Sequence, residues 1–164
     1  MSVRIPPVSV SLVTYNHERY IGEAIRSVLG QTFSDLELVV VDDGSTDRTA
    51  EVIASFDDPR LISIRQENQG PGAAANRALA ACRGKYVALL SGDDVCYPDR
   101  IQKQLEEYER GGPRLLFAAA TFIDEDGGLV PPGHFYEGVF DVAPQTRADI
   151  FHRFFFRGNF INSI

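Results

Sequence analysis

The sequence predicts an α/β domain: a mostly parallel sheet with helices on both faces. Three observations carry this. Short apolar runs, most of them rich in β-branched or aromatic residues, recur through the first two thirds of the chain. Amphipathic patterns of helical period lie between them. The composition, 44% hydrophobic and 24% charged over 164 residues, suits one globular domain with a sizeable core. Strands that alternate with helices of this length imply βαβ crossovers, hence parallel strands buried on both sides.

Residues 8–13 (VSVSLV) open the chain as a buried strand, and residues 18–29 follow as a helix with Ile21, Ala24, Ile25, Val28 and Leu29 on one face. Residues 36–41 (LELVVV) form the second strand. The helix expected over residues 46–56 carries Val52, Ile53 and Phe56 inward, with Ser45 as its cap. A third strand, residues 61–64 (LISI), leads to an alanine-rich helix over 71–82. Residues 86–90 (YVALL) make the fourth strand, and residues 99–108 a helix with Ile101, Leu105 and Tyr108 on one side. A fifth strand is expected at residues 115–122 (LLFAAATF). The alternation ends there: residues 123–129 (IDEDGGL) carry an Asp-Gly turn signal for a hairpin. Thr146 and Asp149 form a capping-box pattern before Ile150, Phe151, Phe154 and Phe155, so an amphipathic helix is expected up to Gly158. Five phenylalanines between Phe151 and Phe160 ask for apolar partners, and the chain reads as part of something longer. The expected division is 1–130, the alternating α/β part, and 131–164, the start of a further region with the amphipathic helix.

No uncharged apolar run approaches the roughly 20 residues of a membrane span. The N-terminus lacks the pattern of a secretory signal, and a cytoplasmic protein is expected, with the inner face of the membrane as a further possibility. Cys82 and Cys96 stand in no metal-binding or disulfide spacing. The net charge of −7 with no Lys/Arg cluster argues against nucleic acid. An acidic protein that takes a phosphorylated ligand needs a cation between them.

Ligands of open α/β sheets bind beyond the carboxyl ends of the strands. There the sequence offers Thr14, Tyr15 and Asn16; then Asp42, Asp43, Gly44 and Ser45; then Asn68, Gln69 and Gly70; then Ser91, Gly92, Asp93 and Asp94. Paired carboxylates beside a diphosphate repel it, and Mn²⁺ or Mg²⁺ bridging acid to phosphate resolves the clash. One acid and Ser45 can be explained as helix-start residues, but two adjacent aspartates at a strand end are better explained by function. Tyr15 is either a core aromatic or a stacking platform for a base. His17, His134 and His152 share no metal-binding spacing and are assigned no role.

In order, the segments VSVSLVTYNHERYIGEAIRSVLGQTFSDLELVVVDDGSTDRT, ENQGPGAAANRAL and GKYVALLSGDDVCYPDRI closely resemble the family 2 glycosyltransferases of GT-A fold, over residues 8–127. IDEDGG resembles the family's hairpin, and RGNFI at residues 157–161 resembles a later segment more weakly. The resemblance implies an inverting, metal-dependent hexosyltransferase of the kind that builds cell-surface polysaccharide. Its donor would be a nucleotide-diphosphate sugar, usually of UDP, and its acceptor a saccharide or a lipid-linked hydroxyl. It implies a nucleotide site of Thr14, Tyr15, Asn16, Asp43, Asn76 and Asp93: Tyr15 and Asp43 on the base, Asp93 on the ribose. Asp94 would be the metal-binding aspartate of the DxD motif, and the general base would lie beyond Ile164. Two departures stand out. Ser91 occupies the place where that motif often begins with aspartate, and Ala75 that of an arginine in many relatives.

Three rival readings remain open. Gly70, Gly72 and Ala75 form G-x-G-x-x-A into a helix, with Asp93 about 20 residues on, as in an NAD(P)-binding domain. A phospho-acceptor signalling domain would need an isolated aspartate after the third strand, where Asn68 stands. A donor-binding module without catalysis is the third.

Overall fold

The computed structural model describes residues 4–111, 116, 118, 121–124 and 127–130. The chain divides into two compact units, Met1–Arg114 and Leu115–Ile164. In the first unit strands and helices alternate without exception: β1 (Val8–Thr14), α1 (Ile21–Leu29), β2 (Leu36–Asp42), α2 (Thr49–Ala54), β3 (Leu61–Arg65), α3 (Pro71–Ala81), β4 (Tyr86–Ser91) and α4 (Arg100–Glu109). All strand pairs are parallel, in the order β3-β2-β1-β4. The α/β class expected from the alternation is the observed one.

The two central strands are the two whose sequences are most continuously apolar. Every residue of β2 is buried, as are all but Val13 of β1. Even-numbered side chains of both strands, Val10, Leu12, Leu38 and Val40 among them, meet Ile21, Ile25 and Val28 of α1, Ile53 of α2 and Ile101 of α4. Among the described residues the opposite face receives α3, whose Ala74 and Ala78 sit on Val39 and Val41. Alanine suits that contact because a small side chain lets the helix approach the sheet closely. Each fully buried Leu or Ile contributes about 1.5–3 kcal/mol of transfer free energy, so the α1 face supplies most of the cohesion of this unit.

The structure corrects three expectations. β3 and β4 are not fully buried: among the described residues they are the outer strands, and α3 packs chiefly over β1 and β2, with Val87 and Leu89 of β4 exposed. Helix α1 begins at Ile21 rather than Glu18, after a turn in which the Tyr20 and Ile21 amides donate to the His17 carbonyl. Helix α2 spans only Thr49–Ala54, and Ser45 is not its cap. Asp47 is the side chain that receives the Thr49 amide, at 2.9 Å.

In the second unit Ile123 and Leu129 form an antiparallel bridge, closed by the Asp124 amide on the Gly128 carbonyl (2.8 Å), with Gly127 at a φ of 81°. This is the hairpin that the Asp-Gly signal predicts. Of the expected fifth strand, residues 116, 118, 121 and 122 are described and none lies in a strand. Its remainder and the phenylalanine-rich helix lie outside the described residues. No helix among the described residues is long and apolar enough to cross a membrane.

Candidate functional site

The register of the sheet decides where the acidic pairs go. Thr14 of β1 lies opposite Asp42 of β2, and Val13 lies opposite Ser91 of β4. The backbone continues that pairing by one step on each side: the Asp43 amide donates to the Thr14 carbonyl and the Gly92 amide to the Val13 carbonyl, both at 2.9 Å. Asp42–Asp43 and Asp93–Asp94 therefore leave the sheet at the same carboxyl edge, flanking the end of β1. Two strand spacings, about 10 Å, separate the two strands that carry them.

Each acid of the first pair has its own task. Asp42 turns inward, and its Oδ1 accepts both the Ser45 amide (2.9 Å) and the Ser45 hydroxyl, closing the turn. Arg65, at the end of β3, lies 3.4 Å from Asp42 Oδ2 and donates to the Ser45 carbonyl. Asn16 fixes the same turn from the other side: it holds a left-handed backbone (φ 55°), its amide donates to Ser45 Oγ, and its Oδ1 accepts the Thr46 amide at 2.8 Å. Asn16 thus staples two rim loops together.

Asp43 is 2% exposed and its carboxylate already accepts three hydrogen bonds: Gln66 Nε2 (2.7 Å) and the Gln69 amide (3.0 Å) on Oδ1, and the Gly70 amide (2.9 Å) on Oδ2. A carboxylate has about four acceptor positions, so one remains, on Oδ2. Gly44 makes the approach possible. Its φ is +76°, and a Cβ there would stand 2.7 Å from the Asn68 amide nitrogen. The arrangement also argues against the dinucleotide reading. The glycines of that fingerprint follow β3, an edge strand, and the start of α3, where a pyrophosphate would lie, already faces the Asp43 carboxylate.

The second pair is held differently. Ser91 Oγ donates to Asp93 Oδ1, and His17 Nε2 stands 3.9 Å from Asp93 Oδ2. Gly92 is required because a Cβ there would come within 2.8 Å of His17 Nδ1 and closer still to the Thr14 side chain. Thr14 Oγ1 and His17 Nδ1 are both buried without a hydrogen-bond partner among the described residues. Asp94 is exposed as a whole, yet the protein around its carboxyl raises its pKa above the ordinary value, and the adjacent Asp93 charge raises it further; a hydrogen bond from the Ser91 backbone and the charges of Arg100 and His17 oppose the shift in part.

A carboxyl whose negative form the protein disfavours, beside a second acid on an open rim, suits a hard divalent cation. Among the described residues no three His, Cys, Asp or Glu side chains converge on one point. The donor set therefore fits Mn²⁺ or Mg²⁺ held by one or two carboxylates with the rest of its shell from water and phosphate, and does not fit an all-protein metal cage. Tyr15 is 43% exposed at the same rim, so its ring is open to a ligand. Asn76 and Arg77 are exposed on α3.

Comparison with known proteins agrees with this arrangement. The family described as "Glycosyl transferase family 2" matches residues 9–162. The chain belongs to that family. It is 34% identical over 154 residues to a chondroitin synthase of Escherichia coli, a match that covers 92% of this chain and 22% of the relative. Among solved structures it resembles S. aureus TarS in complex with UDP-GlcNAc (TM-score 0.59, 31% identity, 63% of this chain and 31% of that one). It also resembles the mannosyltransferase PcManGT from Pyrobaculum calidifontis in complex with GDP-Man and Mn²⁺ (TM-score 0.52, 31% identity, 59% and 30%). The chain thus has the GT-A fold and spans about a fifth to a third of the length of these proteins.

Sequence reasoning missed two residues of the rim. His17, which was given no role, faces the second acidic pair. Gln66, one residue past β3, holds Asp43. No motif marks either, since both are single polar residues whose direction depends on the fold.

Proposed function

We propose that this chain binds a nucleotide-diphosphate sugar and forms the donor half of an inverting, metal-dependent glycosyltransferase. The observation that carries the proposal is the open acidic edge: Asp93 and Asp94, both exposed, beside the end of β1, with the charge of Asp94 opposed on balance by its surroundings. A nucleoside diphosphate can approach such an edge only with a cation between. The TarS complex with UDP-GlcNAc and the PcManGT complex with GDP-Man and Mn²⁺ support the same class of ligand.

In this reading Tyr15 stacks on the base and the free lone pair of Asp43 Oδ2 accepts a base N–H. Asp93 accepts a ribose hydroxyl, and Asp94 holds the cation. Asn16 acts by fixing the turn beneath the base, Thr14 by lining the floor of the cleft at Gly92, and Asn76 by offering its carboxamide from α3. The bound cation supplies positive charge against the diphosphate as it departs, a stabilisation that is greatest in the transition state. The acceptor hydroxyl, of a saccharide or a lipid-linked sugar, attacks the anomeric carbon from the opposite side. Its proton passes to a general base within hydrogen-bond reach of that hydroxyl.

The test is calorimetric titration of UDP into the protein with Mn²⁺ or with EDTA, on wild type and Asp94→Asn. The expected result is Mn²⁺-dependent binding in wild type that is weakened at least about tenfold in the variant. Equal affinity in all conditions would refute the metal-dependent reading.

A further inference from the structure

We infer that Gln31 is a positioning residue for the Asp93–Asp94 loop, holding that loop against the end of α1; the inference rests on the donor-and-metal reading above. Gln31 lies two residues past α1 and is 5% exposed, an unusual depth for a glutamine. All of its principal hydrogen-bonding capacity is used, and across three segments of the chain. Nε2 donates to the Ser27 carbonyl within α1 (3.0 Å) and to the Tyr97 carbonyl (2.8 Å), while Oε1 accepts the Ile101 amide (3.0 Å) in the first turn of α4.

Two neighbours extend the grip. The Thr32 amide donates to the Pro98 carbonyl at 2.8 Å, and Ser27 Oγ accepts the Cys96 amide at 3.1 Å. Cys96, Tyr97, Pro98 and Ile101 are thus each tied to the carboxyl end of α1. Residues 93–95, immediately before them, are exposed. The acidic loop has one end anchored by β4, through the Gly92 amide on Val13, and the other by this clamp. Its side chains are free of the anchoring and can face a ligand.

The physical consequence is a division of labour. A loop that must offer carboxylates to a cation is better held in place chiefly by other groups, because each internal hydrogen bond to a carboxylate removes an acceptor. Here the neutral amide of Gln31 does the holding, so the loop is ordered before the cation arrives and loses less entropy when it binds. Replacing the carboxamide by an isosteric apolar group would leave the Ile101 amide buried without its partner, cut the tie from α1 to the Tyr97 carbonyl and release the loop.

The experiment measures UDP affinity with Mn²⁺ and with EDTA on the full chain, for wild type, Gln31→Leu and Glu37→Ala. The last variant lacks a buried acid at the opposite edge of the sheet and controls for general loss of stability. The expected result is that the Mn²⁺-induced gain in UDP affinity falls about tenfold in Gln31→Leu, with affinity in EDTA unchanged, and stays whole in Glu37→Ala. Hydrogen exchange in the metal-free protein should rise at the Cys96 and Ile101 amides in Gln31→Leu alone. A full gain in Gln31→Leu, or an equal loss in Glu37→Ala, overturns the inference and leaves the donor site standing. Absence of any gain in wild type overturns both. If Gln31→Leu does not fold, two milder variants are read in the same assay. Gln31→Glu keeps the acceptor for Ile101 and gives up both donors, and Ser27→Ala frees the Cys96 amide. Loss of gain in Gln31→Glu upholds the inference, and full gain in both overturns it.

Discussion

The two ends of this sheet treat acidic side chains in opposite ways. At the amino edge Glu37, 3% exposed, accepts the Ser9 hydroxyl (2.6 Å), the Arg83 amide (2.7 Å), Arg83 Nη2 (2.6 Å) and Arg83 Nε (2.9 Å). Burial by itself would raise the Glu37 pKa, but these hydrogen bonds and the Arg83 charge outweigh it, and the carboxyl sits below its ordinary value. At the carboxyl edge Asp94 is raised by the protein around it and by Asp93, and the Ser91 backbone, Arg100 and His17 offset this only in part. The difference separates two uses of an acid. Where the fold satisfies the charge, the acid joins elements: Glu37 links β1, β2 and the exit of α3. Where the fold opposes the charge, the acid is ready for a cation from outside.

The largest effect expected from this contrast is on stability. Glu37→Ala leaves the Arg83 amide and the Ser9 hydroxyl without their partner, and should cost about 3 kcal/mol in denaturant unfolding while leaving UDP binding intact. Next is Tyr15→Ala, which should lower UDP affinity about tenfold by removing a stacking surface, with no change in the unfolding midpoint. A smaller effect appears with pH. The folded Glu37 pKa lies below the unfolded value of about 4.3, so its stabilisation is complete above that pH and is lost as pH falls through the lower folded value. Acid unfolding below about pH 4 should therefore be shallower in Glu37→Gln. For Asp94 the sign reverses. Its raised value means that protons compete with Mn²⁺ at a higher pH than for an ordinary carboxylate, so Mn²⁺-dependent UDP binding should weaken while the fold is still intact. The smallest effect is the thermal midpoint of Asp94→Asn, which should not fall and should rise slightly as the repulsion with Asp93 is removed. A clear drop would show that Asp94 holds the fold as Glu37 does.

Much of this was readable from residues alone, for reasons that also explain the misses. LELVVV and VSVSLV are apolar enough to be central strands wherever they lie in the chain, and β1 and β2 are central. YVALL looks much the same, yet β4 is an outer strand among the described residues, because strand order is not written in the apolarity of a strand. The doubled acids could be seen as doubled acids. That Asp42 turns in towards Ser45 and Arg65 while Asp43 reaches across to Gly70 follows from the register of three strands and from a glycine at φ +76°. Within GSTDRT four polar side chains could each start a helix, and only the packed structure selects Asp47. Asn16, which the resemblance puts among nucleotide-contacting residues, spends its carboxamide oxygen on Thr46.

The fastening of residues 66–70 by Asp43 bears on any effort to change which nucleotide the proposed donor site would accept. The same two oxygens that would discriminate one base from another also pin the strap leading into α3, so exchanging this acid alters recognition and architecture in one stroke. Retuning is better begun at Tyr15, where a new side chain changes what the base meets and leaves the strap in place.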